Sequence, residues 1–515
     1  MLKQNMGKPL YLTTTLPYVN AEPHIGFALE MVQADAIARY HTLLGDEVFF
    51  NTGTDEHGLK IFRKAAEEGK DAQAYTDEYA AKFKSLKERL GLHPQLHFIR
   101  TTDPHHKAAA QEMWRRCLAT GDIFKKKYKG LYCVGDEAFI KETELVDGKC
   151  PNHPTMEPIE IEEENYFFRL SAYQDKLLAY LSRPGVIIPE WRREEAINFV
   201  KQGLEDFSIS RTKEKMPWGV AVPDDDSQVM YVWLDALTNY VSTLGWPEDT
   251  DGNFAKFWTN GTTLQLAGKD QVRFQSVMWQ AMLMSAGLKA TDTVLYHGFI
   301  TSEGKKMSKS LGNVIDPFAV VDEYGIDALR YFLARHVHPF EDSDFTMEKF
   351  KEIYNANLAN GLGNLAARVM QLAESNLDKP VFAGDETFVF TYSPQIRDAM
   401  QAYDLNAVMD NIWAAVSEID EAIQEEQPFK VVKEDKQRGA EMIVKMVKHL
   451  AWIAKAIEPF MPETSATILA AVLANKKPTN LFPRKEAVRR AAKETPPHFA
   501  LPKKKKKKKG DLDFS

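Results

Sequence analysis

The sequence predicts an α/β fold: a parallel sheet covered by helices, interrupted by an inserted domain and followed by an α-helical bundle. Three observations lead there. Short β-rich runs alternate with helical periodicity over the first hundred residues. That alternation stops at about residue 125 and returns after about residue 225. From about residue 346 onward nearly every segment carries helical spacing, as in "NAVMDNIWAAVSEIDEAI".

The first strand is "LYLTTT". It is followed by "FALEMVQADAIARYHTLLG", whose apolar residues recur at helical spacing until Gly45, and then by the strand-like "EVFFNTG". Strand, helix, strand at this pitch is a βαβ unit and implies parallel pairing. A helix-rich stretch covers about 60–120. Between about 125 and 225, clusters such as "KKKYKG", "DGKCPNHPTMEP" and "VPDDDS" punctuate short strands, the texture of an insertion. The βα pattern resumes with "VMYVWLDAL", "TTLQLAG" leading into a helix at about 271–286, and "TVLYHGFIT". The boundaries so drawn are 1–122 and 226–300 for the two halves of the sheet domain and 123–225 for the insertion. A loop and contact region covers 301–345, the bundle 346–500, and a low-complexity, lysine-rich tail 501–515.

Composition narrows the class. A chain of 515 residues exceeds what one hydrophobic core serves, and 44% apolar with 27% charged residues is ordinary for a soluble globular protein. No run of about 18 apolar residues predicts a membrane span. The start, "MLKQNMGKPLYLTTT", lacks both the apolar core of a secretory signal and the Arg/Ser-rich character of a transit peptide. Cys117, Cys133 and Cys150 are the only cysteines, too few for a disulfide framework, and a cytoplasmic location is expected. A net charge of −8 gives no general attraction to polyanions, so any nucleic-acid contact has to come from local patches.

Two stretches carry chemistry. His24 lies in the turn after the first strand, where the first long helix begins, and free N–H groups at helix N-termini attract phosphate. Gly26 would let backbone approach a ligand closely. In "SEGKKMSKSLGN", residues 302–313, Lys306 and Lys309 could reach the phosphates of a bound nucleotide and stabilise charge that develops during transfer. Taken singly, each has a plain alternative: a turn histidine satisfied by its own backbone, and a solvated basic loop.

Taken together they resemble a known family. His-Ile-Gly followed about 280 residues later by Lys-Met-Ser-Lys-Ser is similar to the two signatures of class I aminoacyl-tRNA synthetases. The words "TLPYVNAEPHIG", "NTGTDEHG", "ENYFFRLS", "YVWLDAL", "LAGKD" and "HGFITSEGKKMSKSLGN" narrow the resemblance to methionyl-tRNA synthetases. The likeness implies a Rossmann-type catalytic domain split by a connective insertion, with the bundle binding the anticodon. It also implies that L-methionine is joined to the α-phosphate of ATP, used with Mg2+, and passed to the 3′ end of tRNA(Met). His24, Lys306, Lys309 and Arg211 would be catalytic, and Gly26, Asp270 and His297 would complete the ATP site. Leu16, Tyr18, Asp55, Trp233, Ala236, Tyr240 and Gln275 match the methionine site, with Asp55 facing the α-ammonium group and apolar walls suiting a thioether. Asn364 and Arg368, at i and i+4 on one helix, and Phe429 match anticodon-reading positions. With no further module after the bundle, a monomer is expected.

Several positions depart from the family pattern. Phe27 replaces the last histidine of the usual His-Ile-Gly-His word, so that ring offers ATP no hydrogen bond. Gln271 and Gln275 stand where an aliphatic residue and a histidine are usual, which leaves room for another aliphatic amino acid as substrate. Cys133, Asp136, Cys150 and His153 have zinc-knuckle spacing, and both a zinc site and a relic without metal fit them. The seven lysines at 503–509 suit either contact with tRNA backbone or a solvated tail. A catalytically silent tRNA-binding paralogue is the alternative from outside enzymes, and the intact Lys306, Lys309, Asp55 and Asp270 speak against it.

Overall fold

A computed structural model describes residues 7–135, 138–140, 142–307, 313–382 and 388–485. Asp136, Lys309 and the lysine tail at 503–509 lie outside the described residues, as does the side chain of Lys306.

Six parallel strands form the central sheet: β1 (Pro9–Thr13), β2 (Glu47–Thr54), β3 (His97–Arg100), β4 (Ile187–Ile188), β5 (Thr262–Gly268) and β6 (Thr293–His297). Their order is β3-β2-β1-β5-β6-β4. Buried on both faces, the central strand reads as continuous apolar sequence, with Leu10, Tyr11 and Leu12 all inaccessible. From β1 the chain builds outward to β2 and β3, then returns to the other side of β1 with β5. That reversal opens a crevice beyond the carboxyl ends of β1 and β5, where open α/β sheets bind ligands.

The helix α1 (Ile25–Leu43) connects β1 to β2 and is buried on almost every face. Its polar residues Glu30, Gln33 and Asp35 are therefore buried too, and each needs a partner. Gly45, at φ +88°, takes the left-handed conformation just past its end.

Between residues 123 and 230 the chain forms a four-stranded antiparallel sheet and a smaller three-stranded one, whose middle strand Asp225–Met230 runs past the boundary expected at 225. In the larger, the basic strand Ile123–Cys133 pairs antiparallel with Ile159–Phe168, which sets Lys127 opposite Glu164 and Lys129 opposite Glu162. Lys129 Nζ also sits 2.8 Å from Glu160. The basic strand thus runs opposite an acidic one. Midway through this stretch the chain returns to the central sheet and supplies β4.

After β6, Ile300–Ser302 and Lys305–Lys306 make a hairpin whose turn residues Glu303 and Gly304 both have positive φ, as a two-residue turn of matching twist requires. Asp344 pins it by accepting from Gly304 N at 2.8 Å and Thr301 Oγ1 at 3.0 Å. Helices from Met347 onward form the bundle, and their apolar faces share one core with α1 and the sheet. Arg330 marks the junction. Fully buried, it bonds Asp35 of α1 at 2.6 Å and the carbonyls of Leu90, Pro459 and Phe460.

Candidate active site

A cavity of about 580 Å³ opens at the carboxyl ends of β1 and β5. Leu16, Tyr18, His24, Gly26, Asp55, Trp233, Asp270 and His297 line it, drawn from five separated parts of the sequence.

His24 caps α1. Gly26 N donates to its Nδ1 at 3.1 Å, which leaves Nε2 as the ring's N–H at the start of α1, where Ile25 N bonds Ile315 O and the amides of Phe27 and Ala28 bond His24 O. A Cβ on Gly26 would stand 2.8 Å from the imidazole, so it is the histidine ring of its own turn that Gly26 admits. The Phe27 ring packs on that imidazole with centroids 4.4 Å apart and meets Phe83 edge-on at 5.4 Å.

His297 ends β6 and bonds two acceptors: Glu30 at 2.9 Å through Nε2 and Gly298 O at 2.8 Å through Nδ1. Both ring nitrogens therefore donate. Burial alone would lower the His297 pKa, but the Glu30 carboxylate outweighs it and raises the value. The other oxygen of Glu30 accepts from Thr15 N and Oγ1 at 2.5 and 2.7 Å. This pair ties the end of β1 to α1 and β6. Sequence reading missed Glu30 and Thr15; the available signal was a carboxylate on a helix otherwise apolar around it. Lys60 and Phe299, also unforeseen, line the cavity as well.

Asp270 follows β5. Gly268 leaves room for its carboxylate, since a Cβ there would lie 2.8 Å from Asp270 Oδ1, and Gln271 donates to its Oδ2 at 3.1 Å. Asp55 sits where the β1–β2 ladder resumes: its N–H bonds Pro17 O at 2.9 Å, and Val19 N bonds its carbonyl at 3.1 Å. The Trp233 indole stacks on Phe274 with centroids 3.6 Å apart and planes 10° from parallel.

Other predicted residues stand behind the wall or away from it. Ala236 packs with Tyr231 and Val232, against which Tyr18 and Trp233 lie. Gln275 is buried and donates to the Tyr240 hydroxyl, so the amide has a polar partner beneath the pocket; Gln271 lines the cavity itself. Arg211, also buried, bonds Ser208 Oγ and Ser210 O and lies over the Tyr231 ring at 4.1 Å, and it is not among the lining residues. Cys133 and Cys150 place their sulfurs 3.7 and 3.9 Å from His153 Nδ1, and the three donor atoms all lie within 4.8 Å of one another. Two thiols and an imidazole so gathered suit Zn2+. Gly135 and His153 of this knuckle also line the cavity.

In the bundle, Asn364 is exposed at the start of helix Asn364–Asn376. One turn on, Arg368 pairs with Asp420 at 2.5 Å. Phe429, 41% exposed, stands in the short helix Pro428–Glu434.

The family described as "tRNA synthetases class I (M)" matches residues 10–157 and 155–370. The methionine–tRNA ligase of Rhizobium meliloti is 42% identical over 478 residues, 90% of this chain and 91% of that protein. That of Mycobacterium tuberculosis is 40% identical over 479 residues, again 90% and 91%. The solved M. tuberculosis methionyl-tRNA synthetase in complex with methionyl-adenylate superposes with a TM-score of 0.83 and 38% identity, covering 93% of this chain and 99% of that one. Its apo form gives a TM-score of 0.79 at 34% identity, over 94% and 99%.

Proposed function

This chain belongs to the family of class I tRNA synthetases of the (M) type, and from that premise we propose that it is a methionine–tRNA ligase. It would activate L-methionine with ATP to methionyl-adenylate and pyrophosphate, then transfer methionine to tRNA(Met). One observation carries the reading: a single cavity gathers a phosphate-facing helix N-terminus, a carboxylate at the end of β2, an aromatic wall and a second carboxylate after β5.

In this reading His24 Nε2 and the first turn of α1 face the triphosphate, with Gly26 allowing the cap. Lys306 and Lys309 would stabilise charge on the phosphates, and Mg2+ accompanies ATP as part of the substrate. Asp270 and His297 hold the nucleoside. Asp55 binds the ammonium group, and Leu16, Tyr18 and Trp233 enclose the thioether, with Ala236, Tyr240 and Gln275 supporting that wall. Arg211 acts through Tyr231 rather than on substrate. Catalysis is then positioning plus charge stabilisation, without a covalent enzyme intermediate.

Asn364, Arg368 and Phe429 would contact the anticodon. Cys133, Cys150 and His153, with Asp136 as the remaining candidate ligand, would hold a zinc ion whose role is structural, stapling the knuckle that borders the cavity. The active unit is proposed to be a monomer. Among the described residues no helix is long and apolar enough to cross a membrane.

The deciding experiment is ATP–pyrophosphate exchange with each of the twenty amino acids. Methionine should stand at least a hundredfold above the others in kcat/KM. Exchange at background with every one would sink the enzyme reading, and exchange with a different aliphatic amino acid would replace methionine.

A further inference from the structure

Behind the amino-acid side of the cavity lies a buried charge network whose members are not among the lining residues. His57 Nδ1 stands 2.6 Å from Asp235 Oδ2, and His106 Nε2 stands 2.9 Å from Asp235 Oδ1. His106 Nδ1 continues to Ser242 Oγ at 2.9 Å. The three charged or chargeable side chains are at most 2% exposed. Burying a carboxylate between two imidazoles is a poor route to stability, because well-packed apolar groups of the same volume would do as well or better. What such a network does give is a fixed geometry.

Its two ends identify the geometry it fixes. His57 is two residues from Asp55, in a segment immobilised by Glu56, whose carboxylate takes a bidentate pair from Arg100 at 2.7 and 2.8 Å. Asp235 belongs to the short helix Val232–Leu237. There Trp233 and Ala236, at i and i+3, share the face toward Tyr18, while Asp235 turns the other way to helix Pro104–Ala119, which carries His106. One side of the network thus anchors the carboxylate proposed to hold the ammonium group. The other anchors the helix that supplies the far wall.

We propose that Asp235 is a positioning residue that sets the separation between Asp55 and the Trp233–Ala236 wall, and through it the length of amino-acid side chain the site accepts. The proposal rests on reading the cavity as an amino-acid-activating site. Burial would push the Asp235 carboxyl upward, but the two imidazoles outweigh it and hold it well below the usual carboxylate range, so the network keeps a fixed negative centre at neutral pH.

The test is ATP–pyrophosphate exchange by the full chain and its Asp235→Asn variant, which keeps shape and loses charge. The expected result is a methionine KM raised at least tenfold with the ATP KM within twofold of wild type. The preference in kcat/KM for methionine over ethionine, one methylene longer, should fall at least fivefold. A merely structural role would lower the melting temperature and leave the preference and the ratio of the two KM values alone, and that outcome overturns the proposal. Should Asp235→Asn fail to fold, His106→Gln, which retains a donor toward the carboxylate, is expected to move the same two readouts in the same direction by a smaller factor. Its failure to move them overturns the proposal equally. Wild-type protein with no methionine-dependent exchange would instead sink the enzyme reading itself.

Discussion

The Phe27 ring rests on the His24 imidazole at 4.4 Å, with its planes 37° apart, in the turn where the family pattern has a second histidine. The aromatic face holds one side of His24, and Gly26 N–H holds Nδ1 from the other. Phe27 offers packing rather than a hydrogen bond, with Phe83 as its edge-on support.

Removing that ring should therefore disturb His24 more than stability. Aromatic pairs contribute about 0.5–1.5 kcal/mol beyond their area, so Phe27→Ala should lower kcat for pyrophosphate exchange about tenfold and raise the ATP KM, with the methionine KM little changed. Steady-state exchange at varied ATP checks this. Equal losses on both substrates would mean general collapse of the turn.

Arg368 and Phe429 lie in the bundle, away from the cavity lining, so their effects should separate from activation. Arg368→Ala is expected to raise the tRNA KM in aminoacylation about tenfold while leaving pyrophosphate exchange within twofold. It also releases Asp420, a partly exposed pair of little intrinsic worth, so the melting temperature should barely move. A parallel loss in exchange would argue against an anticodon role.

The knuckle predicts a metal. Protein purified without chelator should carry about one zinc per chain, and Cys150→Ser should abolish it. Stripping the ion should lower the melting temperature, because binding free energy at a structural site is folding free energy. Wild-type protein free of zinc would mark Cys133, Cys150 and His153 as a relic.

Asp327 gives a stability signature in pH. Burial raises its pKa from the ordinary 3.8 to about 6, while the Thr464 N–H at 2.6 Å pulls the other way; Oδ1 finds no hydrogen-bond partner among the described residues. The folded state thus holds this proton more tightly than the unfolded chain. The destabilisation is absent below about pH 4, grows through the interval, and is complete above about pH 6, where it corresponds to about 3 kcal/mol. Asp327→Asn should raise the melting temperature at pH 8 and leave it unchanged at pH 4. Melting curves of both proteins across that range check the sign; a gain at pH 4 would contradict it.

Much of this was legible before any coordinates. β1, α1 and β2 announce themselves through periods of 2 and 3.6, and His24 reads as the turn before α1, while the lysine word reads as a loop where the chain forms a hairpin at its start. What stayed hidden was hidden for physical reasons. β4 is only Ile187–Ile188, too short to carry a pattern, and it rejoins the sheet from inside the insertion. Glu30 reads as a solvent-facing helix residue until burial on every side of α1 forces it onto His297. The "KKKYKG" run looks basic until register sets it against glutamates some thirty-five residues on. Asp235 belonged to a recognised word, yet only the fold brings His57 and His106 to the same carboxylate.

Arg330 has a mechanical consequence. Its guanidinium is bolted at once to Asp35, in the middle of α1, and to the carbonyls of Pro459 and Phe460, at the turn between two bundle helices. Asp35 stands eleven residues along the same rigid helix from His24, about 16 Å at the helical rise. Tilting the bundle would either tear a fully buried cation from its acceptors or carry α1 with it. The helix capped by His24 and the bundle thus form one lever arm, so that a displacement of the bundle is carried along α1 to the turn that lines the cavity.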